Sequence, residues 1–177
     1  MDSDKYLGKY RVKTERVKWH DYNNGTYFVT ICTHNREHYF GEIVGGELIM
    51  TDIGQYTNGV FCSLSKYYPY AQIHSYVIMP DHLHAILTID GKLTNRVSKD
   101  TVDNKGGITG EENPMIKQCL GTIIRGLKAR VTHYANANNI PFAWQPLFYE
   151  HIIHDDKALS QIEDYIKSNV SRWEETR

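Results

Sequence analysis

The chain has 177 residues, 41% of them hydrophobic and 23% charged, the makeup of one globular domain (1–177) with enough apolar material for a real core. Its formal net charge is −1, so a case for a nucleic-acid partner has to rest on local charge and not on the overall balance. No apolar run approaches the roughly 18 residues that a membrane span requires, and the polar start from Met1 to Lys13 lacks the apolar centre of a secretory signal. The expectation is a cytoplasmic protein with no membrane partner.

Cys32, Cys62 and Cys119 are odd in number and widely spaced, with no C-x-x-C pair, which reads as reduced, buried thiols and not as a zinc knuckle. The first 20 residues form a basic arm. From Lys5 to Lys18 it carries Lys5, Lys9, Arg11, Lys13, Arg16 and Lys18 against only Glu15, a charge pattern that suits phosphates as well as a solvated terminus.

In chain order, Tyr27 to Thr33 is β-branched and aromatic after an Asn24-Gly25 turn signal and predicts a strand. A hairpin follows, Glu42 to Val44 and Glu47 to Met50, turning at Gly45-Gly46. Thr51 is a good N-cap for a helix carrying Ile53, Tyr56, Val60, Phe61 and Leu64 at helical spacing until Pro69. Gln72 to Ile89 is strand-like on both sides of Pro80-Asp81, and residues 90–114 read as a long mobile loop. Next comes an amphipathic helix with Ile116, Leu120, Ile123, Ile124, Leu127, Val131 and Tyr134 on one face and Lys117, Arg125, Lys128 and Arg130 on the other. A strand around Trp144 to Ile153 and a last helix over 157–170, capped by Asp155 or Asp156, complete an α+β pattern of helices on a mostly antiparallel sheet.

Two features carry chemistry. In Asp81-His82-Leu83-His84-Ala85-Ile86, the strand period of two puts His82, His84 and Ile86 on one face, so two imidazoles stand within reach of a single divalent ion. Such nitrogens suit Zn, Mn or Co, and Mg only when oxygen ligands complete the shell; as a bare pattern, a pair of half-buried polar residues is the commoner outcome. In the last helix, Tyr165 and Asn169 are i and i+4, so a hydroxyl and an amide oxygen share one face. If that face lies over the sheet, Asn169 supplies a third, oxygen ligand and Tyr165 a nucleophile. A cation on a phosphodiester oxygen neutralises its charge, and the phenol then stores the bond as a phosphotyrosine. Periodicity alone equally makes Tyr165 a core residue beside Ile162 and Ile166.

Four segments in order, Tyr27 to Arg36, Val77 to His84, Trp144 to Ile153 and Asp164 to Asn169, resemble the Y1 transposases of the HUH superfamily, IS200-like and especially the REP-associated tyrosine transposases. The resemblance implies a ferredoxin-like or RRM-like antiparallel sheet with helices on one side. It implies His82, His84 and Asn169 as ligands of Mg2+ or Mn2+, and Tyr165 as the nucleophile. The implied substrate is hairpin and neighbouring single-stranded DNA, cut to a 5′-phosphotyrosine and a free 3′-OH, in a homodimer or a monomer. Asn169-Val170 departs from the Asn-Pro of many relatives, and the long 90–114 loop is a second departure.

Tyr149, beside Glu150 and His151, is the rival nucleophile, although an aromatic next to Trp144 and Phe148 fits packing or base stacking better. Lys9, Arg11, Lys13, Arg125, Lys128, Arg130 and His151 are candidate DNA contacts; a charged stripe opposite an apolar helix face is also commonly just solvated. Two other functions compete with a transposase: a domesticated hairpin-binding protein that does not cut, and a small-phosphoester hydrolase, which leaves the tyrosine helix unexplained.

Overall fold

The computed structural model describes residues 20, 22–93 and 118–173. Lys9, Arg11 and Lys13 of the basic arm, residues 94–114 of the expected loop, and Ile116 and Lys117 lie outside the described residues. The domain frame is strand β1 (Gly25–Cys32), a single 3-10 turn (His34–Arg36), the hairpin β2 (Gly41–Val44) and β3 (Glu47–Met50), and helices α1 (Asp52–Cys62) and α2 (Leu64–Tyr67). Then come β4 (Ala71–Met79), β5 (His82–Ile89), α3 (Leu120–Ala137), β6 (Tyr149–Ile153), α4 (Asp156–Lys167) and the one-turn α5 (Asn169–Arg172).

The main sheet runs β4-β5-β1-β6 with every neighbouring pair antiparallel. With α1 between β1 and β4, and α3 between β5 and β6, this is the split β-α-β of a ferredoxin-like fold, as expected. The β2–β3 hairpin stands as its own two-stranded sheet. Gly45 and Gly46 sit at φ 61 and 80, the left-handed pair that a tight type I′ turn requires and that side chains resist.

Alternation along β1 decides the layering. Tyr27, Val29 and Ile31 join Leu83, Ala85 and Leu87 of β5 in a core closed by Ile53 and Phe61 of α1 and Ile123, Ile124 and Leu127 of α3. Phe28 and Ile86 point the other way, where Ile162 and Ile166 of α4 cover them. Thus helices pack on both faces and not on one: α1 and α3 build the main core, and α4 closes the second face of its own sheet in cis. The caps agree with the sequence, since Thr51 Oγ1 accepts from the Gly54 N–H at 3.2 Å and Asp155 Oδ1 from the Ala158 N–H at 2.7 Å.

Three further expectations need correction. The strand expected over Trp144 to Ile153 is confined to β6, because Pro146 has no N–H to pair and Leu147 turns to φ 64; Trp144 makes only an isolated bridge to Thr33. The single helix over 157–170 is two, α4 stopping at Ser168 (φ −89, ψ 1) before α5 begins at Asn169. Cys62 is exposed, whereas Cys32 and Cys119 are buried thiols.

Ile166 is 2% exposed and Ile49 59% exposed, so truncation of the two separates docking from surface. Ile166→Ala should cost about 2–5 kcal/mol in urea unfolding and loosen α4, while Ile49→Ala should stay within about 0.5 kcal/mol.

Candidate active site

The β1–β5 register places Cys32 opposite His82 and Thr30 opposite His84, all on the face that α4 covers. Both histidines are buried. Their Nε2 atoms approach to 3.1 Å, while each Nδ1 is engaged elsewhere: His82 Nδ1 donates to Asp81 Oδ1 at 2.5 Å, and His84 Nδ1 lies 2.8 Å from Thr30 Oγ1. A carboxylate on Nδ1 fixes the His82 tautomer with its Nε2 lone pair facing outward. Two such lone pairs repel at that distance unless a proton or a metal ion lies between them. Nitrogen ligands about 2.1 Å from one ion and at right angles to each other sit about 3.0 Å apart, so the spacing suits a shared cation.

From the opposite side, α4 brings the Tyr165 hydroxyl to 3.3 Å from His84 Nε2. Phe28 locks this arrangement sterically, stacked on His84 with centroids 5.2 Å apart and edge-on to Tyr165 at 6.3 Å. The break at Ser168 turns Asn169 inward: it is buried, and among the described residues its Nδ2 closes no hydrogen bond. A buried amide N–H that closes no hydrogen bond is costly, and the polar group it bears on is the Tyr165 phenol. Among the described residues no three His, Cys, Asp or Glu side chains group to hold a metal, so an ion here would depend on His82, His84, the Asn169 amide oxygen, and water or substrate oxygens.

Electrostatics follow from burial and one guanidinium. Burial, then the neighbouring His82 and the Arg36 charge, hold the His84 imidazole well below its ordinary pKa, which keeps it neutral and able to ligate. Burial pushes the Tyr165 phenol up, against the opposing pull of the Asn169 amide and of Arg36 and Arg172. Burial likewise raises the Asp81 carboxyl, but the hydrogen bond and charge of His82, together with Arg36, outweigh it and lower its pKa.

The remaining candidates are placed differently. Tyr149 pairs with Thr30 and His151 with Phe28, so both share the site's face of the sheet, on the strand beyond β1. His151 is exposed, and burial followed by the charge of His154 lowers its pKa. Lys128 is half-buried and donates to the carbonyls of Gln145, at 2.8 Å, and Leu147; burial pushes its ammonium down to about 8. Arg130 lies over the Tyr67 ring at 3.5 Å, and Arg125 is exposed on α3. Hence Lys128 and Arg130 have intramolecular partners that the helical stripe did not disclose. Sequence reading gave no role to Asp81, Thr30, Phe28 or Arg36; only Asp81 left a signal, as the acid immediately before the first histidine.

A solved structure of a REP-associated tyrosine transposase bound to a REP hairpin is similar over 88% of this chain and 73% of that one, with a TM-score of 0.56 and 21% sequence identity. The chain has the fold of the Y1 tyrosine transposases. No family model matches it. It belongs to the same family as an uncharacterized protein of Haemophilus influenzae, to which it is 35% identical over 176 residues, 95% of this chain and 93% of the relative. No helix among the described residues is long and apolar enough to cross a membrane.

His84, buried neutral, imposes a sign on acid stability. Its folded pKa lies below the ordinary 6.5, so the unfolded chain binds the extra proton first and stability falls as pH drops below about 6.5. His151 contributes in the same direction, so the test is a difference. The loss of urea midpoint in metal-free buffer between pH 7.5 and 5.5 should be smaller in His84→Gln than in the unaltered protein.

Proposed function

We propose that the protein is a metal-dependent transposase and endonuclease of single-stranded DNA, which recognises hairpins and cuts and rejoins strands through a 5′-phosphotyrosine on Tyr165. The observation that carries this reading is the convergence, across two elements far apart in sequence, of the Tyr165 hydroxyl on His84 Nε2 at 3.3 Å and of His84 on His82 at 3.1 Å. The likeness of fold to a hairpin-bound transposase supports the substrate class.

His82 Nε2, His84 Nε2 and the Asn169 amide oxygen would hold Mg2+ or Mn2+. When bound, such an ion supplies Lewis-acid polarisation of a phosphate oxygen. The chain's own groups do the rest. Asp81 and Thr30 hold the imidazoles in orientation through their Nδ1 atoms. Phe28 and Ile166 exclude water behind them. Tyr165 attacks phosphorus: its oxygen–phosphorus bond forms, the bond from phosphorus to the 3′-oxygen breaks, and the proton lost by the phenol is balanced by the one the 3′-oxygen gains. Rejoining reverses the step with a 3′-OH as nucleophile. Arg125 and His151, both exposed, are candidate backbone contacts, as are Lys9, Arg11 and Lys13 of the arm. Homodimerisation belongs to the same proposal, resting on the resemblance.

The test uses the whole protein, Mn2+ and a pool of 3′-labelled hairpin oligonucleotides with randomised loops and flanks. A covalent adduct on denaturing gels is the expected result. Tyr165→Phe should lose it by at least about a thousandfold while Tyr149→Phe keeps it; the opposite pattern moves the nucleophile to β6. Hairpin binding with no adduct under any divalent ion would make the protein a non-cutting binder. His82→Ala should abolish adduct formation yet leave hairpin affinity within a few fold, because phosphate contacts supply most of it.

Asp81→Asn should weaken Mn2+ binding about 10- to 100-fold, as loss of a carboxylate behind a ligating imidazole does. Calorimetric titration of Mn2+ into the apo protein reads this without DNA.

A further inference from the structure

One cation beside the histidines has no part in holding a metal. Arg36 donates from Nε to Asp81 Oδ2 at 3.1 Å and from Nη1 to Cys32 Sγ at 2.9 Å, so Asp81 carries the guanidinium on one oxygen and His82 on the other. A guanidinium has five N–H groups. Three of Arg36's therefore have no protein partner among the described residues, and its side chain is 50% exposed next to a buried site. Its two partners place it at the site: Asp81 holds His82, and Cys32 pairs with His82 across the strands, with His84 Nε2 3.1 Å from His82 Nε2.

The backbone is built to hold it there. Asn35 and Arg36 are consecutive non-glycine residues in the left-handed region, at φ 52 and 59. That turn is nailed down from both ends: the Thr33 hydroxyl lies 2.8 Å from the carbonyl oxygens of both Glu37 and Asp81, which share its one proton, the Thr33 N–H donates to Asp81 O, and the His34 N–H donates to Ala143 O. A strained, over-determined turn at a site is the kind of feature that fixes one side chain's direction.

We propose that Arg36 is a phosphate-binding residue, its free N–H groups gripping one non-bridging oxygen of the scissile phosphate. The inference rests on the reading of the site as a phosphoryl-transfer centre. As Tyr165 attacks and the 3′-oxygen leaves, negative charge gathers on the equatorial oxygens; Arg36 makes and breaks no bond but pairs with that charge. The bland alternative is that Arg36 only steadies Asp81, and hence His82, which would show as a loss of metal affinity.

The experiment compares the full-length wild type with Arg36→Ala and Arg36→Lys on the oligonucleotide that the wild type cuts, with either an ordinary phosphodiester or one of the two methylphosphonate diastereomers at the cut position. On the diester, Arg36→Ala should form adduct about 10²- to 10³-fold more slowly, with Mn2+ affinity unchanged within about threefold. Arg36→Lys, which keeps the charge without the fork, should fall between. With one methylphosphonate diastereomer, where a neutral methyl replaces the oxygen assigned to Arg36, the gap between wild type and Arg36→Ala should close to about threefold or less. An equal gap on the diester and both diastereomers, a tenfold loss of Mn2+ affinity, or a diester rate within threefold of wild type would each overturn the assignment and leave the proposed function standing. Absence of any wild-type adduct would instead sink the proposed function, and this inference with it. Should Arg36→Ala fail to fold by thermal melting, Arg36→Lys decides by the same comparison.

Discussion

The 3.1 Å approach of two buried imidazole nitrogens is the contact on which the rest of the site depends. It is a product of pleat and register together. The pleat puts His82 and His84 on one face, and the pairing with β1 supplies Thr30 to one ring and Cys32 beside the other. Because the Nδ1 atoms are committed to Asp81 and Thr30, the Nε2 atoms are left to face each other and to face Tyr165. Buried nitrogens so arranged are unfavourable by themselves, which is why a cation or proton belongs between them.

Covering the second face of the sheet is what turns that contact into a site. A ferredoxin-like sheet needs helices on only one side, and here α1 and α3 provide them. The chain adds α4, whose Ile162 and Ile166 bury against Phe28 and Ile86, and this apolar docking fixes where Tyr165 lands. Each such isoleucine is worth about 1.5–3 kcal/mol of burial, enough together to hold a phenol that burial itself makes harder to ionise. The break after Lys167 then matters as much as the helix: it lets Asn169 fold inward from a position that a continuous helix would have aimed by geometry alone.

Charge in the pocket is organised by one carboxylate. Asp81 receives His82 and Arg36 on separate oxygens, so a single buried acid orients the His82 ring and tethers a permanent cation a few ångströms from it. A buried acid is tolerated only when paired and hydrogen-bonded, and both conditions hold here. The same logic explains Lys128, whose half-buried ammonium is committed to the Gln145 and Leu147 carbonyls and to the loop that carries Trp144.

Sequence by itself determined the elements and the faces. Alternation in β1 and β5, the Gly45-Gly46 turn, the Thr51 and Asp155 caps and the spacing of Ile162, Tyr165 and Ile166 are local signals with local physics, and they fixed which side chains travel together. Residue types and spacing also pointed to His82, His84, Tyr165 and Asn169. Tertiary structure alone decided that α4 lies over the histidines of its own chain, that Asn169 turns in after a break, that Lys128 points at loop carbonyls and that Arg36 meets Asp81 across 45 positions of chain. Pairing between strands and the docking of a helix join residues distant in sequence, and no periodicity along a single segment encodes which distant segment will supply the partner.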